Sequence, residues 1–351
     1  MTKDIRAYAA VSATEKLLPH RIDRRTPRND DVTIEILYCG VCHSDLHTVR
    51  NDWGGTRYPI VPGHEIIGRV TGVGSAVTRF KVGDAVGVGC IVDSCGHCPA
   101  CEQGYEQHCP ESIYTYGITD PRDGTMTQGG YSEKIVVHDE FVLRIPDGLD
   151  LKGAAPLLCA GITTWSPLKA FNAGPGSKVA VVGLGGLGHM ALKLANALGA
   201  EVTLFTRSPG KEADARRLGA HNVVLSTDPA QMAAVAGQFN LIVDTVPYVH
   251  DLNPYIPTLS FKGTLALVGY LGPLEPALNS TQIILGSKLL AGSLVGGIPA
   301  TQEMLDFCGK HNITSDIEVI NMQDINTAYE RMLKSDVKYR FVIDMASLKA
   351  K

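Results

Sequence analysis

Four of the nine cysteines crowd into a single short stretch. Cys95, Cys98, Cys101 and Cys109 are spaced C-x2-C-x2-C-x7-C. Short C-x2-C steps let one loop aim several thiolates at one point, and four thiolates in a tetrahedron suit a structural zinc ion. Iron–sulfur clusters use similar spacings, but the C-x3-C-P ending of such runs is missing here. A loop of free thiols is the plainer alternative; free cysteines, however, usually bury singly as small hydrophobes. His97 and His108 flank the cluster and read as exposed neighbours, because four thiolates already complete the set.

A second pattern runs Gly183, Leu184, Gly185, Gly186, Leu187, Gly188. It follows an apolar strand pattern over 178–182 and opens a helical one over 187–198, the context that a G-x-G-x-x-G dinucleotide site requires. Gly183 would permit the tight turn, Gly185 the approach of a pyrophosphate, and Gly188 close helix–strand packing. The helix N-terminus then offers free N–H groups to the anion. A glycine-rich turn in a flavodoxin-like domain is the alternative.

The loop after the second strand bears on which dinucleotide. An NAD site carries Asp or Glu at the end of that strand, about 20 residues on. Glu201 comes 18 residues after Gly183 but starts the strand 201–206 and so lies at its wrong end. The strand ends in Thr206, Arg207 and Ser208, with Lys211 close behind and no carboxylate. Two hydroxyls and two cations suit a ribose 2′-phosphate through charge-assisted hydrogen bonds. The expected cofactor is NADP(H) rather than NAD(H).

Cys42, His64 and Cys159 would supply the three protein ligands of a catalytic zinc with an open fourth position. Spacing alone does not join them, and each also reads as a buried thiol or core histidine.

The elements that must position these residues follow from composition and pattern. At about 150 residues per domain, 351 residues suggest two domains. Lys plus Arg is 32 and Asp plus Glu is 36, a formal charge of −4, which argues against a nucleic-acid partner. Hydrophobic residues at 44% and charged residues at 19% describe a globular chain. No apolar run approaches the roughly 20 residues of a membrane span. The first ten residues carry Lys3, Asp4 and Arg6 and no apolar h-region, so no secretory signal is expected and the location expected is cytoplasmic. An odd cysteine count in that setting does not suggest a disulfide framework.

Residues 6–144 read as short β segments, such as 32–38, 66–73, 85–88 and 131–137, broken by Pro62-Gly63, Gly83-Asp84 and Asp123-Gly124. Beyond residue 154, strands at 178–182, 201–206, 222–225, 241–244, 264–268 and 288–293 alternate with helices at 187–198, 211–218, 229–236 and 252–259. That alternation predicts an α/β fold with a doubly wound parallel sheet. The stretch from 301, with two helices and a strand at 339–343, is too short for a domain and is expected to return to the first one. The expected domains are a zinc-binding catalytic domain, 1–153 with 295–351, and a Rossmann NADP-binding domain, 154–294.

The chain resembles the zinc-dependent medium-chain alcohol dehydrogenases. The resemblance rests on Gly63-His64-Glu65-x2-Gly68-x5-Gly74, the four-cysteine lobe, Cys42 with Ser44 and His47, Cys159, and the glycine fingerprint. The runs 40–47 and 339–343 are similar to the cinnamyl alcohol dehydrogenase (CAD) branch, which includes broad-range NADPH-dependent aldehyde reductases. The resemblance implies a β-rich GroES-like catalytic domain and two zinc ions per chain. Cys42, His64 and Cys159 would hold the catalytic zinc, with Glu65 beside it as a transient ligand and Asp45 orienting His64. Cys95, Cys98, Cys101 and Cys109 would hold the structural zinc. Ser44 would touch the substrate oxygen and pass protons toward His47. His43 would contact the pyrophosphate, and Thr163 the nicotinamide. Alignment with the branch places Trp53, Cys90, Ile91, Tyr114 and Ile298 in the substrate pocket. Tyr114 stands where plant lignin enzymes carry Trp, which argues against a strict monolignol role. The stretch 285–297 would pair two copies into a homodimer.

The function so implied is reversible hydride transfer between NADP(H) and aldehydes or primary alcohols, mainly aldehyde reduction over an aromatic and aliphatic range. An NAD-dependent alcohol or polyol dehydrogenase is the near rival. A non-catalytic zinc- and nucleotide-binding protein is the distant one, disfavoured because such relatives commonly lose the ligands kept here.

Overall fold

Apolar and polar residues alternate through Asp31–Gly40, and the strand buries Val32, Ile34 and Ile36 while Thr33 and Glu35 stay partly open. Period-two burial of this kind marks a strand with one face on a core. The structure is a computed structural model that describes residues 2–269 and 272–349. Met1, 270–271 and 350–351, all inside the expected domain ranges, lie outside the described residues. The chain divides into two compact units, Met1–Cys159 with Gly296–Lys351, and Ala160–Val295.

In the first unit a seven-stranded sheet centres on Asp31–Gly40, which pairs antiparallel with Ile66–Val73, Lys134–His138 and Arg340–Asp344. The last partner comes from the C-terminal stretch, whose strand Ile317–Asn321 extends the sheet in parallel. The strands Ile91–Asp93 and Ile113–Tyr114 form a separate ribbon, and the four-cysteine loop is the connection between them.

The second unit holds a six-stranded parallel sheet in the order Asn222–Leu225, Glu201–Thr206, Lys178–Val182, Phe239–Asp244, Leu259–Leu267, Leu289–Gly292. This is the doubly wound α/β arrangement the sequence pattern predicts. Strand order reverses beside Lys178–Val182, and ligands of such sheets bind outside the carboxyl ends of the strands at that point. Phe205 packs edge-on against Phe239, with ring centroids 5.3 Å apart, in the core that seats these strands.

Several elements differ from the sequence pattern, among them the helix His43–Val49 within the stretch read as β segments. The helix expected over 252–259 is only a 3-10 turn, Ile256–Thr258, before the strand Leu259–Leu267. Pro254 and Pro257 explain the difference, since each removes a backbone donor that a helix interior needs. The helix Ser280–Gly286 and the strand Ile317–Asn321 had no expected counterpart.

Candidate active site

In the first unit the helix His43–Val49 is capped from within. Asp45 accepts a hydrogen bond from the Cys42 backbone N–H through Oδ2, at 3.0 Å. Its Oδ1 accepts from the Gly63 N–H and from His64 Nδ1, both at 3.0 Å. One fully buried carboxylate therefore ties the Cys42 turn to the Gly63-His64 turn. It also fixes the imidazole tautomer, leaving Nε2 with its lone pair for a ligand. Burial favours the neutral ring, but the Asp45 charge outweighs it and raises His64.

The ligand atoms of Cys42, His64, Glu65 and Cys159 all lie within 4.8 Å of one another. The Cys42 and Cys159 sulfurs are 3.9 Å apart. Two thiolates on a tetrahedral zinc, each at about 2.3 Å, would sit about 3.8 Å apart, so this donor set fits the ion. Hydrogen bonding from Cys159 favours the Cys42 thiolate, and Cys159, crowded by the Cys42 and Cys90 thiols, is pushed up.

Sequence reasoning assigned no role to Arg340. Its guanidinium bonds to the Glu65 carboxylate and, at 2.9 Å, to the Val41 carbonyl. Burial raises the Glu65 carboxyl to about 8 against the pull of Arg340. A Cβ on Gly40 would fall 1.9 Å from Glu65 Oε2, so only glycine leaves room for this carboxylate. Tyr131 was missed too, and its hydroxyl lies 3.4 Å from Asp45 Oδ2. No local signal marks either role, since Arg340 and Glu65 are 275 residues apart.

Ser44 and His47 share one face of the helix at i, i+3 spacing. Ser44 Oγ is 3.6 Å from Cys42 Sγ. His47 is about a third exposed and holds Asp52 at 2.8 Å, with the Trp53 ring centroid 5.2 Å from its own. His43 is exposed on the same helix. Trp53 and Tyr114 are exposed, Ile91 is buried in the core, and Cys90 and Ile298 are half-buried against it.

The four-cysteine loop brings its sulfurs together. Cys98 and Cys95 lie 3.5 and 4.0 Å from Cys101, and all four ligand atoms fall within 4.8 Å of one another. Backbone N–H groups of Cys98 and Glu111 point at the Cys95 and Cys109 sulfurs, at 3.3 Å each. The Cys101 N–H lowers Cys98 to about 7, which favours its ligand form. His97 bends back to the Cys95 carbonyl and stays exposed.

In the second unit Gly183 turns at φ 87°, a region that favours glycine. A Cβ on Gly188 would meet the Gly183 carbonyl at 2.1 Å, whereas one on Gly185 would meet nothing within 4 Å. Leu184 is buried, and Gly186 and Leu187 complete the turn. Lys211 Nζ donates to the Leu184 carbonyl at 3.2 Å, which draws the 206–211 loop onto the glycine turn. Thr206 is buried and accepts from the Ser208 N–H at 3.1 Å, whereas Arg207 and Ser208 are exposed. Thr163 is buried in the helix Ala160–Ala170.

Residues 28–147 match the model of the alcohol dehydrogenase GroES-like domain, and residues 186–310 that of the zinc-binding dehydrogenase. Probable mannitol dehydrogenase 1 of Stylosanthes humilis is 54% identical over 97% of this chain and 96% of its own. Aldehyde reductase YahK of Escherichia coli is 53% identical over 98% and 99%. The crystal structure of CAD from Helicobacter pylori complexed with NADP(H) superposes with a TM-score of 0.92 at 43% identity, over 99% of each chain. The chain belongs to the zinc-dependent medium-chain alcohol dehydrogenases. It is an enzyme of alcohol–aldehyde redox chemistry.

Proposed function

We propose that this dehydrogenase prefers NADP(H) and works mainly as an aldehyde reductase of broad aromatic and aliphatic range. The observation that carries the reading is the loop after Glu201–Thr206: it offers Arg207, Lys211 and two hydroxyls, with no carboxylate at the strand end. A 2′-phosphate gains charge-assisted hydrogen bonds there, and a bare 2′-hydroxyl finds no acidic partner.

Cys42, His64 and Cys159 would hold the catalytic zinc, with Glu65 a buried reserve ligand, and the four-cysteine loop the structural zinc. When bound, zinc supplies Lewis-acid polarisation and the nicotinamide supplies hydride. Asp45 keeps His64 in the ligating tautomer. Ser44 Oγ donates the proton that the reduced oxygen takes up. His47, partly open to solvent and held by Asp52, carries protons from bulk water toward it. His43 and Thr163 are proposed cofactor contacts. Trp53, Cys90, Ile91, Tyr114 and Ile298 are the proposed pocket, whose apolar and aromatic character suits such aldehydes.

Two copies would pair through the edge strand Leu289–Gly292. Its flank exposes Ile284 and Leu285 at 72% and 79%, an apolar edge that an isolated chain would leave to water. Among the described residues no helix is long and apolar enough to cross a membrane, and we place the enzyme in the cytoplasm, where thiol ligands stay reduced.

The test is the initial rate of NADPH and, separately, NADH oxidation against cinnamaldehyde, benzaldehyde and butanal. Fast turnover with NADPH on several aldehydes is expected. A preference for NADH would overturn the cofactor reading and favour the NAD-dependent polyol or alcohol dehydrogenase.

A further inference from the structure

The carboxylate of Asp244 is buried at the C-terminal end of Phe239–Asp244, 1% exposed. Its Oδ1 accepts from the Val246 N–H at 3.1 Å, and Oδ2 faces His250 Nε2 at 3.0 Å. The other ring nitrogen of His250 lies on the Tyr248 carbonyl at 2.9 Å. Asp244 and Phe205 are both in register with Val182, one on each side of it. At the usual strand spacing this puts Asp244 about 10 Å from the end of the strand that leads into Arg207. The Tyr255 ring bridges the two sides, with its centroid 5.4 Å from Phe205 and 6.3 Å from His250. Its hydroxyl, hydrogen-bonded to Ser226, lies within the fields of both Arg207 and Asp244. An uncompensated carboxylate here would repel an anion brought to Arg207.

We infer that His250 is a specificity-determining residue of the cofactor cradle: as an imidazolium it cancels the Asp244 charge and so favours a dinucleotide bearing a 2′-phosphate. This rests on the NADP(H) reading above. His250 acts through Asp244 and is a positioning residue. A buried carboxylate about 10 Å from a doubly charged phosphate is worth on the order of fivefold to tenfold in affinity at the dielectric of a protein surface once salt of about 0.1 M screens it over one Debye length.

The groups facing His250 are Asp244, Asp251, Tyr248 and Tyr255, with Arg207 beyond Tyr255. The Asp244 carboxylate, 3.0 Å from Nε2, raises His250 against burial, so the cation is present at lower pH and lost as pH rises through its folded value. The 2′-phosphate is fully charged above about pH 7, since such groups lose their second proton near 6.

The experiment measures dissociation constants of NADPH and NADH by nucleotide fluorescence at pH 7 and pH 9, for the zinc-loaded enzyme, H250Q and D244N. For the unmodified enzyme the ratio of the NADH to the NADPH constant should fall several-fold from pH 7 to pH 9. In H250Q it should already be lower at pH 7 by about fivefold to tenfold, and flat with pH. D244N should keep the high ratio at both pH values. A merely structural role would weaken both nucleotides equally and leave the ratio unmoved. Should H250Q fail to fold, the pH series of the unmodified enzyme and D244N decide. A high ratio that neither pH nor H250Q changes overturns this inference alone. A ratio near one in the unmodified enzyme at pH 7 overturns the NADP(H) reading and this inference with it.

Discussion

Asp45 shows how much one side chain can organise. Its two oxygens close the helix start at Cys42, fix the Gly63 turn and orient His64, so two segments distant in sequence meet on one carboxylate. The ligand cluster around it leads to the sharpest residue-scale prediction. Cys159→Ala should leave the far-ultraviolet circular dichroism unchanged and remove one metal equivalent. It should also cut turnover by on the order of a thousandfold, the several kcal/mol that a bound Lewis acid contributes. Retained turnover would refute the ligand role. In the second unit, Arg207→Ala should raise the KM for NADPH roughly tenfold to a hundredfold, as expected for lost charged hydrogen bonds, and leave that for NADH within about twofold. Equal effects on the two would show that Arg207 does not read the phosphate.

At the scale of elements, legibility depended on how far apart the partners lie. The strands Lys178–Val182 and Glu201–Thr206 were readable to the residue, because doubly buried parallel strands are short apolar runs with clear ends. The four-cysteine loop was readable because its ligands are neighbours in sequence. The Arg340–Glu65 and His250–Asp244 pairs were not, since no local pattern announces a partner from another strand or loop. The helix expected over 252–259 gives way to the turn Ile256–Thr258, because Pro254 and Pro257 each remove a donor that a helix would need. Two expectations belong at this scale. Cys98→Ser should release one zinc equivalent in metal analysis and speed hydrogen exchange through residues 94–112, with the parallel sheet of the second unit unaffected. Protection equal to that of the unmodified chain would argue against a metal-held loop. Gly188→Ala should cost about 1–3 kcal/mol in chemical denaturation, the range for overpacking, and abolish nucleotide binding, because its new methyl would strike the Gly183 carbonyl. Tight NADPH binding by that variant would contradict the packing argument.

For the whole molecule, the proposed pairing of copies rests on the apolar edge beside Leu289–Gly292. Changing Ile284 and Leu285 together to lysine should raise the dimer dissociation constant on the order of a hundredfold, as for loss of interface anchors. Sedimentation of the variant as a monomer beside a dimeric unmodified enzyme is the expected result. Identical sedimentation of the two would move the interface elsewhere.

The return of the C-terminal stretch to the first unit bears on how the chain comes to life. Arg340–Asp344 pairs directly with Asp31–Gly40 and brings Arg340 to Glu65, so the strand that completes the first sheet is synthesised only after the whole of the second unit. The second unit, Ala160–Val295, is an uninterrupted segment and can close while synthesis continues, since domains generally fold as units and N-terminal parts emerge first. The first unit must wait, with its cysteine-rich loop already exposed. A chain terminated early would then present a nucleotide fold and a four-thiol lobe, yet leave the Glu65 carboxylate without its guanidinium partner. In such a molecule the buried carboxylate gains its cation only once translation has passed Arg340.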